Sequence, residues 1–213
     1  MWSTAYSLHG HVPLRDMNQD FVRVMSSGAT AVAAGIGFTI VLKDRSLWAT
    51  GTNTDGQLGD GTRMNKDRFG FVRTFTGAGT KDVIAGGYHS IVLTQKGAVY
   101  ATGSNKFGQL GDGTTRSWSS FAQVMSKGKK AIAMAAAAGD VHTMLLVNDG
   151  TVWSAGRNSN GQLGDGTTLD RSDFVKAMAG SIVLREVKAL AAGGYHSLVL
   201  KEDDSVWATG SNE

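Results

Sequence analysis

The dominant feature of this 213-residue sequence is a repeat of about 53 residues. Its clearest copy, Ala85 to Thr114, reads AGGYHSIVLTQKGAVYATGSNKFGQLGDGT, and related segments begin at Ala34, Ala138 and Ala192. One aromatic residue marks each copy, at spacings of 52, 53 and 54 residues: Trp48, Tyr100, Trp153 and Trp207. Self-similarity at a period near 50 residues is typical of a propeller, a solenoid or an array of small units.

Each unit contains four short apolar runs, which we interpret as four β-strands. In the clearest unit these runs cover residues 121–125, 131–137, 142–147 and 151–155. An Asp-Gly pair at 149–150 separates the last two runs, and such a pair favours a tight hairpin turn. No stretch has the three-and-four apolar spacing of a helix. Four antiparallel strands in about 50 residues make a propeller blade, so the sequence predicts an all-β fold of four-stranded antiparallel blades.

The repeat also predicts the domain organisation. We expect residues 1–213 to form a single repeat domain, because stacked units share one core. Both ends fall at nearly the same phase of the repeat, which predicts an open arc of about four blades. The approximate units are 1–19 (partial), 20–70, 71–120, 121–173 and 174–213 (partial).

Composition narrows the classes of function. Charged residues make up 18% and hydrophobic residues 41% of the chain, which favours a folded protein over a disordered one. The net charge is +3 with scattered basic residues, so nucleic-acid binding is not expected. The absence of cysteine excludes disulfides and thiolate metal sites. The longest apolar run, 131–138, is too short to cross a bilayer, so we expect a soluble protein, cytoplasmic or nuclear by default, with no visible signal peptide.

Three strings in the repeat carry a resemblance to a known family. They are Gly-Gly-Tyr-His-Ser-x-Val-Leu, Val-Trp-Ala-Thr-Gly-Ser-Asn and Gly-Gln-Leu-Gly-Asp-Gly-Thr, and together they resemble the regulator of chromosome condensation repeat. The resemblance implies a seven-bladed β-propeller, of which this chain would supply a little over half. It also implies either a protein-binding and scaffolding role or guanine-nucleotide exchange on a small GTPase. The chain lacks the long inter-blade insertion and the basic arm of the founding exchange factor, which favours the scaffold.

No set of residues predicts an enzyme or a cofactor site. His89, His142 and His196 each precede a hydroxyl residue, but neighbours on a strand point to opposite faces, so we expect structural hydrogen bonds and not a catalytic dyad. The turn at 158–161 lacks the leading Asp and the final Glu of a calcium loop. The glycine-rich stretch at 161–166 does not join a strand to a helix, as a phosphate-binding loop would.

The segments that differ between copies, 63–70, 115–120 and 168–173, are the expected partner-binding loops. Trp and Arg are enriched in interface hot spots, although packing of the tryptophan on its own blade is the alternative. These segments supply Lys66, Arg68, Arg116, Trp118 and Arg171. Asp140 is a further candidate, because it replaces a glycine of the sister copies and needs an ion pair, solvent or a ligand. An open arc also has exposed end blades, so we expect a protein partner, self-association or further blades to cover them.

Overall fold

The structure is a computed structural model that describes residues 23–67, 70–76, 79–125 and 131–212. Every regular element in these ranges is a β-strand, which confirms the all-β prediction. The strands are β1 (Ala29–Ala34), β2 (Phe38–Lys43), β3 (Ser46–Gly51), β4 (Val72–Phe75), β5 (Thr80–Ala85), β6 (His89–Thr94), β7 (Val99–Gly103), β8 (Trp118–Met125), β9 (Ala133–Ala138), β10 (His142–Val147), β11 (Val152–Gly156), β12 (Arg171–Lys176), β13 (Met178–Ala179), β14 (Ile182–Val183), β15 (Val187–Ala192), β16 (His196–Lys201) and β17 (Val206–Gly210).

Consecutive strands pair antiparallel into separate sheets, which we number as blades. Blades 1, 2 and 3 are the four-stranded sheets β1–β4, β5–β8 and β9–β12, and blade 4 is the three-stranded sheet β15–β17. A short β13–β14 hairpin lies between blades 3 and 4. Four-stranded antiparallel blades are therefore confirmed, and the sheets formed by the described residues do not close into a full wheel.

The grouping of strands into blades differs from the sequence prediction. The run at 121–125 was expected to join the three runs that follow it, but it belongs to β8, which pairs with β7 of the preceding blade through Val99↔Met125 and Gly103↔Trp118. The loop between β7 and β8 turns the chain back antiparallel to β7 and makes β8 the fourth strand of blade 2. The period of a repeat does not show at which strand one sheet ends and the next begins. The predicted boundary between blades 2 and 3 was therefore wrong by one strand.

The first strands of neighbouring blades, β1, β5, β9 and β15, contact one another along the inner side of the arc. Small residues make this approach possible, and β9 reads AMAAAA. A Cβ added to Gly86 would lie 2.6 Å from the carbonyl oxygen of Gly139, and one added to Gly139 would lie 2.2 Å from that of Gly193. Both distances are too short for any side chain, so glycine is required at these inner loops.

The hydrophobic core lies between the blades. Ile91 of blade 2 and Leu145 of blade 3 share one buried cluster, and Met144 of blade 3 shares another with Val199 of blade 4. The fourth strands add aromatic rings that rest on loop glycines of the preceding blade. A Cβ on Gly111 would lie 2.2 Å from the Phe174 ring, which is 4% exposed.

The corresponding place beside Gly164 is a cavity of about 350 Å³, lined in part by Leu163, Val199, Trp207 and Thr209. Gly59 and Gly111 contact Phe121 and Phe174 at the equivalent positions in blades 2 and 3. Blade 4 has no fourth strand among the described residues, and Trp207 is accordingly 46% exposed. The cavity is thus the position that the aromatic ring of a fourth strand fills in blades 2 and 3.

Replacing Phe174 by Ala tests the contact between the fourth strand and the preceding blade. We expect Phe174→Ala to lower the free energy of unfolding by about 3–5 kcal/mol, the usual cost of emptying a buried aromatic site. The control is Leu169→Ala, because Leu169 lies in the loop that leads into β12 but is 62% exposed. Urea denaturation measures both, and equal small losses would contradict the proposed packing.

Candidate functional site

The loop between the third and fourth strands of each blade is folded around one buried asparagine. In blade 2 the amide oxygen of Asn105 accepts a hydrogen bond from the Leu110 N–H at 3.0 Å. Its amide nitrogen donates to Asp112 Oδ1 at 3.1 Å and to the Thr114 carbonyl at 3.0 Å. Blades 1 and 3 repeat the arrangement through the pairs Asn53–Asp60 and Asn158–Asp165, both at 3.0 Å. These bonds satisfy buried polar groups and give the three loops one shape.

The second oxygen of each loop aspartate accepts a bond from the residue six positions later. The three contacts are Lys66 Nζ to Asp60 at 2.9 Å, Trp118 Nε1 to Asp112 at 2.8 Å and Arg171 Nε to Asp165 at 2.7 Å. Three of the predicted partner-binding residues therefore occupy one equivalent position and have a framework contact. The constant spacing from the Gly-Asp-Gly element was visible in the sequence, but the aspartate was not predicted as their partner. Partner binding by these residues stays a prediction.

The loop aspartates stay ionised because of these donors. Partial burial acts to raise the pKa of Asp112, but hydrogen bonds from Trp118, Thr114 and Asn105 outweigh it and lower that pKa below its ordinary value. The pKa values of Asp60 and Asp165 are lowered for the same reasons, with Lys66 and Arg171 as the variable donors. A charged acceptor strengthens each hydrogen bond, so the side chain at this position is firmly oriented.

These loops form a continuous surface at one end of the blades. Gly61 N–H donates to the Ser119 carbonyl at 2.8 Å, and Gly113 N–H donates to the Ser172 carbonyl at 3.0 Å, so each loop rests on the next blade. The loops between first and second strands lie at the same end, because the start of β2 pairs with the end of β3 at Phe38↔Gly51. We call this surface the loop face: outer loops 52–66, 104–117 and 157–170, with inner loops 35–37, 86–88, 139–141 and 193–195.

The loop face brings together most of the predicted partner-binding residues. Arg116 is exposed, and its guanidinium carbon lies 5.1 Å from the centroid of the Trp118 ring, within the range of a cation–π contact. Trp118 itself is only partly exposed: its ring packs against the core cluster shared by blades 2 and 3, and its indole N–H donates to Asp112. Arg68 lies outside the described residues. Asp140 is on an inner loop of the same face.

Two histidines of the repeat, His89 and His142, join adjacent blades. His89 Nε2 lies 2.8 Å from Thr143 Oγ1 of blade 3, and that hydroxyl donates to the Gln109 carbonyl at 2.7 Å. A hydroxyl has one hydrogen, so His89 must donate from Nε2. His142 and Ser197 repeat this joint between blades 3 and 4 at 2.8 Å.

Neither buried histidine forms a dyad with the hydroxyl that follows it in the sequence. Ser90 donates instead to the Gln57 carbonyl of blade 1 at 2.6 Å. Burial, together with repulsion from His142, lowers the pKa of His89 to about 3, and burial with repulsion from His196 lowers that of His142 to about 4. Both rings are neutral at pH 7, and such low values are poorly matched to acid–base catalysis at that pH. His196 is exposed on the flank of blade 4.

Asp140 lies between the inner loops of blades 2 and 4. A Cβ added to Gly87 would lie 3.1 Å from Asp140 Oδ1, and one added to Gly194 would lie 3.0 Å from Oδ2. Its carboxylate is partly exposed, and no ion pair or hydrogen bond joins it to another residue in the described ranges. The local salt bridge that the sequence left open is therefore not formed with those residues.

Within the described residues, no group of three or more His, Cys, Asp or Glu side chains is placed to hold a metal ion. The same ranges contain no helix of the length and apolarity needed to span a membrane.

The sequence pattern described as "Regulator of chromosome condensation (RCC1) repeat" matches residues 81–109, 96–146, 135–162 and 187–213. Together these matches cover more than half of the chain. The chain belongs to the regulator of chromosome condensation repeat family.

Relatives and solved structures agree with this assignment. The chain is 34% identical to human E3 ubiquitin-protein ligase HERC2 over 79% of its own length but 3% of the ligase. It is 34% identical to the bovine "Secretion-regulating guanine nucleotide exchange factor" over 78% of its length and 36% of that protein. It therefore spans a minor part of both.

Two solved structures show the same fold at lower identity. The structure of human WBSCR16 is 24% identical with a TM-score of 0.76, covering 85% of this chain and 47% of that one. Yeast RCC1 (Prp20), solved with Kap60, is 21% identical with a TM-score of 0.74, covering 89% and 45%.

The buried histidines predict how stability depends on pH. Their folded-state pKa values, about 3 and about 4, lie below the ordinary 6.5, so their contribution is complete above pH 6.5 and is lost as pH falls toward 4. Each histidine adds a slope of at most about 1.4 kcal/mol per pH unit in that window. His142→Phe, which copies Phe38 of blade 1, should reduce the slope. Urea midpoints between pH 7 and 4 measure it, and an unchanged slope would contradict the neutral buried ring.

The equivalence of the loop donors predicts the outcome of an exchange at Trp118. Trp118→Arg places in blade 2 the donor that Arg171 supplies in blade 3, so the Asp112 contact is retained. Trp118→Leu leaves the Asp112 carboxylate without that bond. We expect the free energy of unfolding of Trp118→Leu to be about 1.5–3 kcal/mol lower than that of Trp118→Arg. Thermal melting compares the two, and equal stability would show that the framework contact contributes little.

Proposed function

We propose that this chain is a protein-binding and scaffolding propeller module that engages its partner through the loop face. The observation that carries the proposal is that variable side chains stand at equivalent positions above a constant hydrogen-bonded framework. The position occupied by Lys66, Trp118 and Arg171 changes its chemistry from blade to blade while the loop keeps its shape. Such a surface presents different contacts without altering the fold, which suits recognition of a protein.

The loop face is also pre-organised for binding. The side chains of Lys66 and Arg171 are 21% and 32% exposed, and their charged groups are already held by aspartates. Arg116 lies over the Trp118 ring, so an aromatic ring and a cation are presented together on blade 2. Side chains that are ordered before binding lose less conformational entropy when the partner arrives. We propose Arg116 and Trp118 as the central contacts, with Lys66 and Arg171 as further contacts on the adjacent blades. Arg68 stays a further candidate from the sequence.

We propose that the chain binds and does not catalyse. The ligase relative is a far longer protein, of which this chain matches 3%. The described histidines with strongly lowered pKa values are used in joints between blades. Protein partners are also named for a fold relative, since a second structure of yeast Prp20p was presented together with its binding properties to Gsp1p and histones.

We further propose that the sequence units set out above form one repeat domain and that another protein surface or further blades cover blade 4.

Guanine-nucleotide exchange on a small GTPase is the second candidate. It is supported by the 34% identity to the bovine exchange factor, over 36% of that protein. A panel of small GTPases loaded with fluorescent GDP separates the two candidates. Accelerated nucleotide release by this chain would favour exchange, whereas partner capture without acceleration would favour a scaffold.

Substitution of Arg116 tests the binding surface. We expect Arg116→Ala to reduce the free energy of binding to the recovered partner by about 1–2 kcal/mol, since exposed interface arginines are frequent hot spots. The matched control is Lys96→Ala, because Lys96 is an exposed cation in the β6–β7 turn at the opposite end of blade 2. Affinity capture from source cells followed by calorimetry with the purified partner measures the difference. Equal affinities of both variants and the parent would refute the loop-face assignment.

A further inference from the structure

The inner end of the loop face carries one acidic side chain among glycines. Gly87, Asp140 and Gly194 occupy the same position in the inner loops of blades 2, 3 and 4. A backbone bond holds the loops of blades 2 and 3 in register, with Gly87 N–H donating to the Gly139 carbonyl at 3.2 Å. The position of Asp140 relative to the blade 2 loop is therefore defined.

At this position the inner loops of blades 2 and 3 approach so closely that a side chain on the blade 2 loop would meet the backbone of Asp140. A Cβ added to Gly87 would lie 2.9 Å from Asp140 Cα, which is closer than real Cβ contacts allow. One added to Gly194 would lie 3.0 Å from Asp140 Oδ2. The flanking positions, Gly87 and Gly194, carry no side chain and Asp140 is partly exposed, so a group arriving from solvent can approach its carboxylate.

Arg157, whose backbone is bonded to the loop that carries Asp140, has its guanidinium engaged elsewhere. The Arg157 N–H donates to the Val141 carbonyl at 3.0 Å, but its guanidinium Nε donates to Ser159 Oγ at 3.0 Å. The same guanidinium lies 5.1 Å from the Phe107 ring centroid and 5.7 Å from that of Tyr195. No ion pair satisfies Asp140 within the described ranges, although a partly buried charge is costly without one.

Exposed aromatic rings accompany the unpaired carboxylate. Tyr88 and Tyr195 directly follow the two glycines that flank Asp140, and they are 39% and 44% exposed. Val141 holds the corresponding position between them and is 8% exposed. Aromatic faces attract cations, as the Arg157–Tyr195 contact already illustrates on this surface. An anion with aromatic rings on the neighbouring loops is chemistry that suits a cationic side chain.

We propose that Asp140 is the acceptor for an arginine side chain of a protein partner, which enters between the loops that carry Tyr88 and Tyr195. The planar guanidinium can donate two parallel hydrogen bonds to the carboxylate and stack on a tyrosine ring. This inference rests on the proposed function, because the arginine belongs to a partner bound at the loop face. It adds a contact on the inner loops that is opposite in charge to the proposed contacts at Arg116 and Lys66.

Nuclear magnetic resonance with short peptides tests the site without the natural partner. The probe is the acetylated and amidated peptide Gly-Gly-Arg-Gly-Gly, titrated into the full ¹⁵N-labelled chain. Its matched control replaces arginine by citrulline, which keeps the shape and removes the charge. We expect the arginine peptide to shift the amide signals of residues 87–88, 140–141 and 194–195, and added sodium chloride to weaken the effect.

Asp140→Asn supplies the decisive variant, because the amide has the shape of the carboxylate without its charge. We expect the peptide affinity to fall about 5-fold or more, which is the upper range for a solvent-accessible ion pair. A spectrum that otherwise matches the parent establishes that this variant is folded. Tyr88→Leu should also weaken binding while the carboxylate remains.

Three results would overturn the proposal: equal shifts with the citrulline peptide, unchanged affinity in Asp140→Asn, or the same shifts with magnesium chloride. These results are independent of the test of the proposed function. If Arg116→Ala impairs partner capture but the peptide does not bind, the arginine site alone is wrong. If the peptide binds through Asp140 but loop variants leave capture unchanged, the outer-loop assignment is wrong.

Discussion

The hydrogen bond between the buried loop asparagine and its aspartate is the interaction on which the rest of the structure depends. Asn105 and Asp112 close the loop that returns the chain beside β7, so they determine where the fourth strand begins. The same loop reaches the next blade through the bond from Gly113 to Ser172. One polar contact therefore completes its own sheet and positions its neighbour. Because both groups are largely removed from water, losing either would leave a polar partner unsatisfied.

The loop aspartate also explains how a constant framework can present a variable surface. Its outer oxygen accepts an ammonium from Lys66, an indole N–H from Trp118 or a guanidinium from Arg171. An ionised carboxylate makes a strong bond with any of these donors, so the position is restricted to N–H donors but not to one residue. Stability and the proposed recognition are thus linked at the same side chains, and an exchange among donors is expected to change surface chemistry more than folding.

The sequence predicted the all-β blades because their strands and turns have local signals, such as the Asp-Gly turn at 149–150 and the recurring aromatic residues. It did not predict that the run at 121–125 belongs to the preceding sheet, since strand pairing is a tertiary choice with no local signal. Trp118 was selected as a loop residue that differs between copies, yet its bond to Asp112 was missed. The constant six-residue spacing was present, but only the folded loop shows that three unlike residues share one role.

The joints between blades divide the loop face into two regions with different freedom to vary. At the inner loops, Gly86 and Gly139 each face a carbonyl of the next blade, and their own histidine rings lie within 2.3 Å of an added Cβ. Side chains are excluded there by packing, whereas the outer loops accept several donors. Asp140 stands beside this crowded ring at a position where blades 2 and 4 carry glycine and blade 1 carries Ile36. A change at that position is therefore a change in surface charge at a fixed place, which is the kind of difference that alters partner choice more than stability.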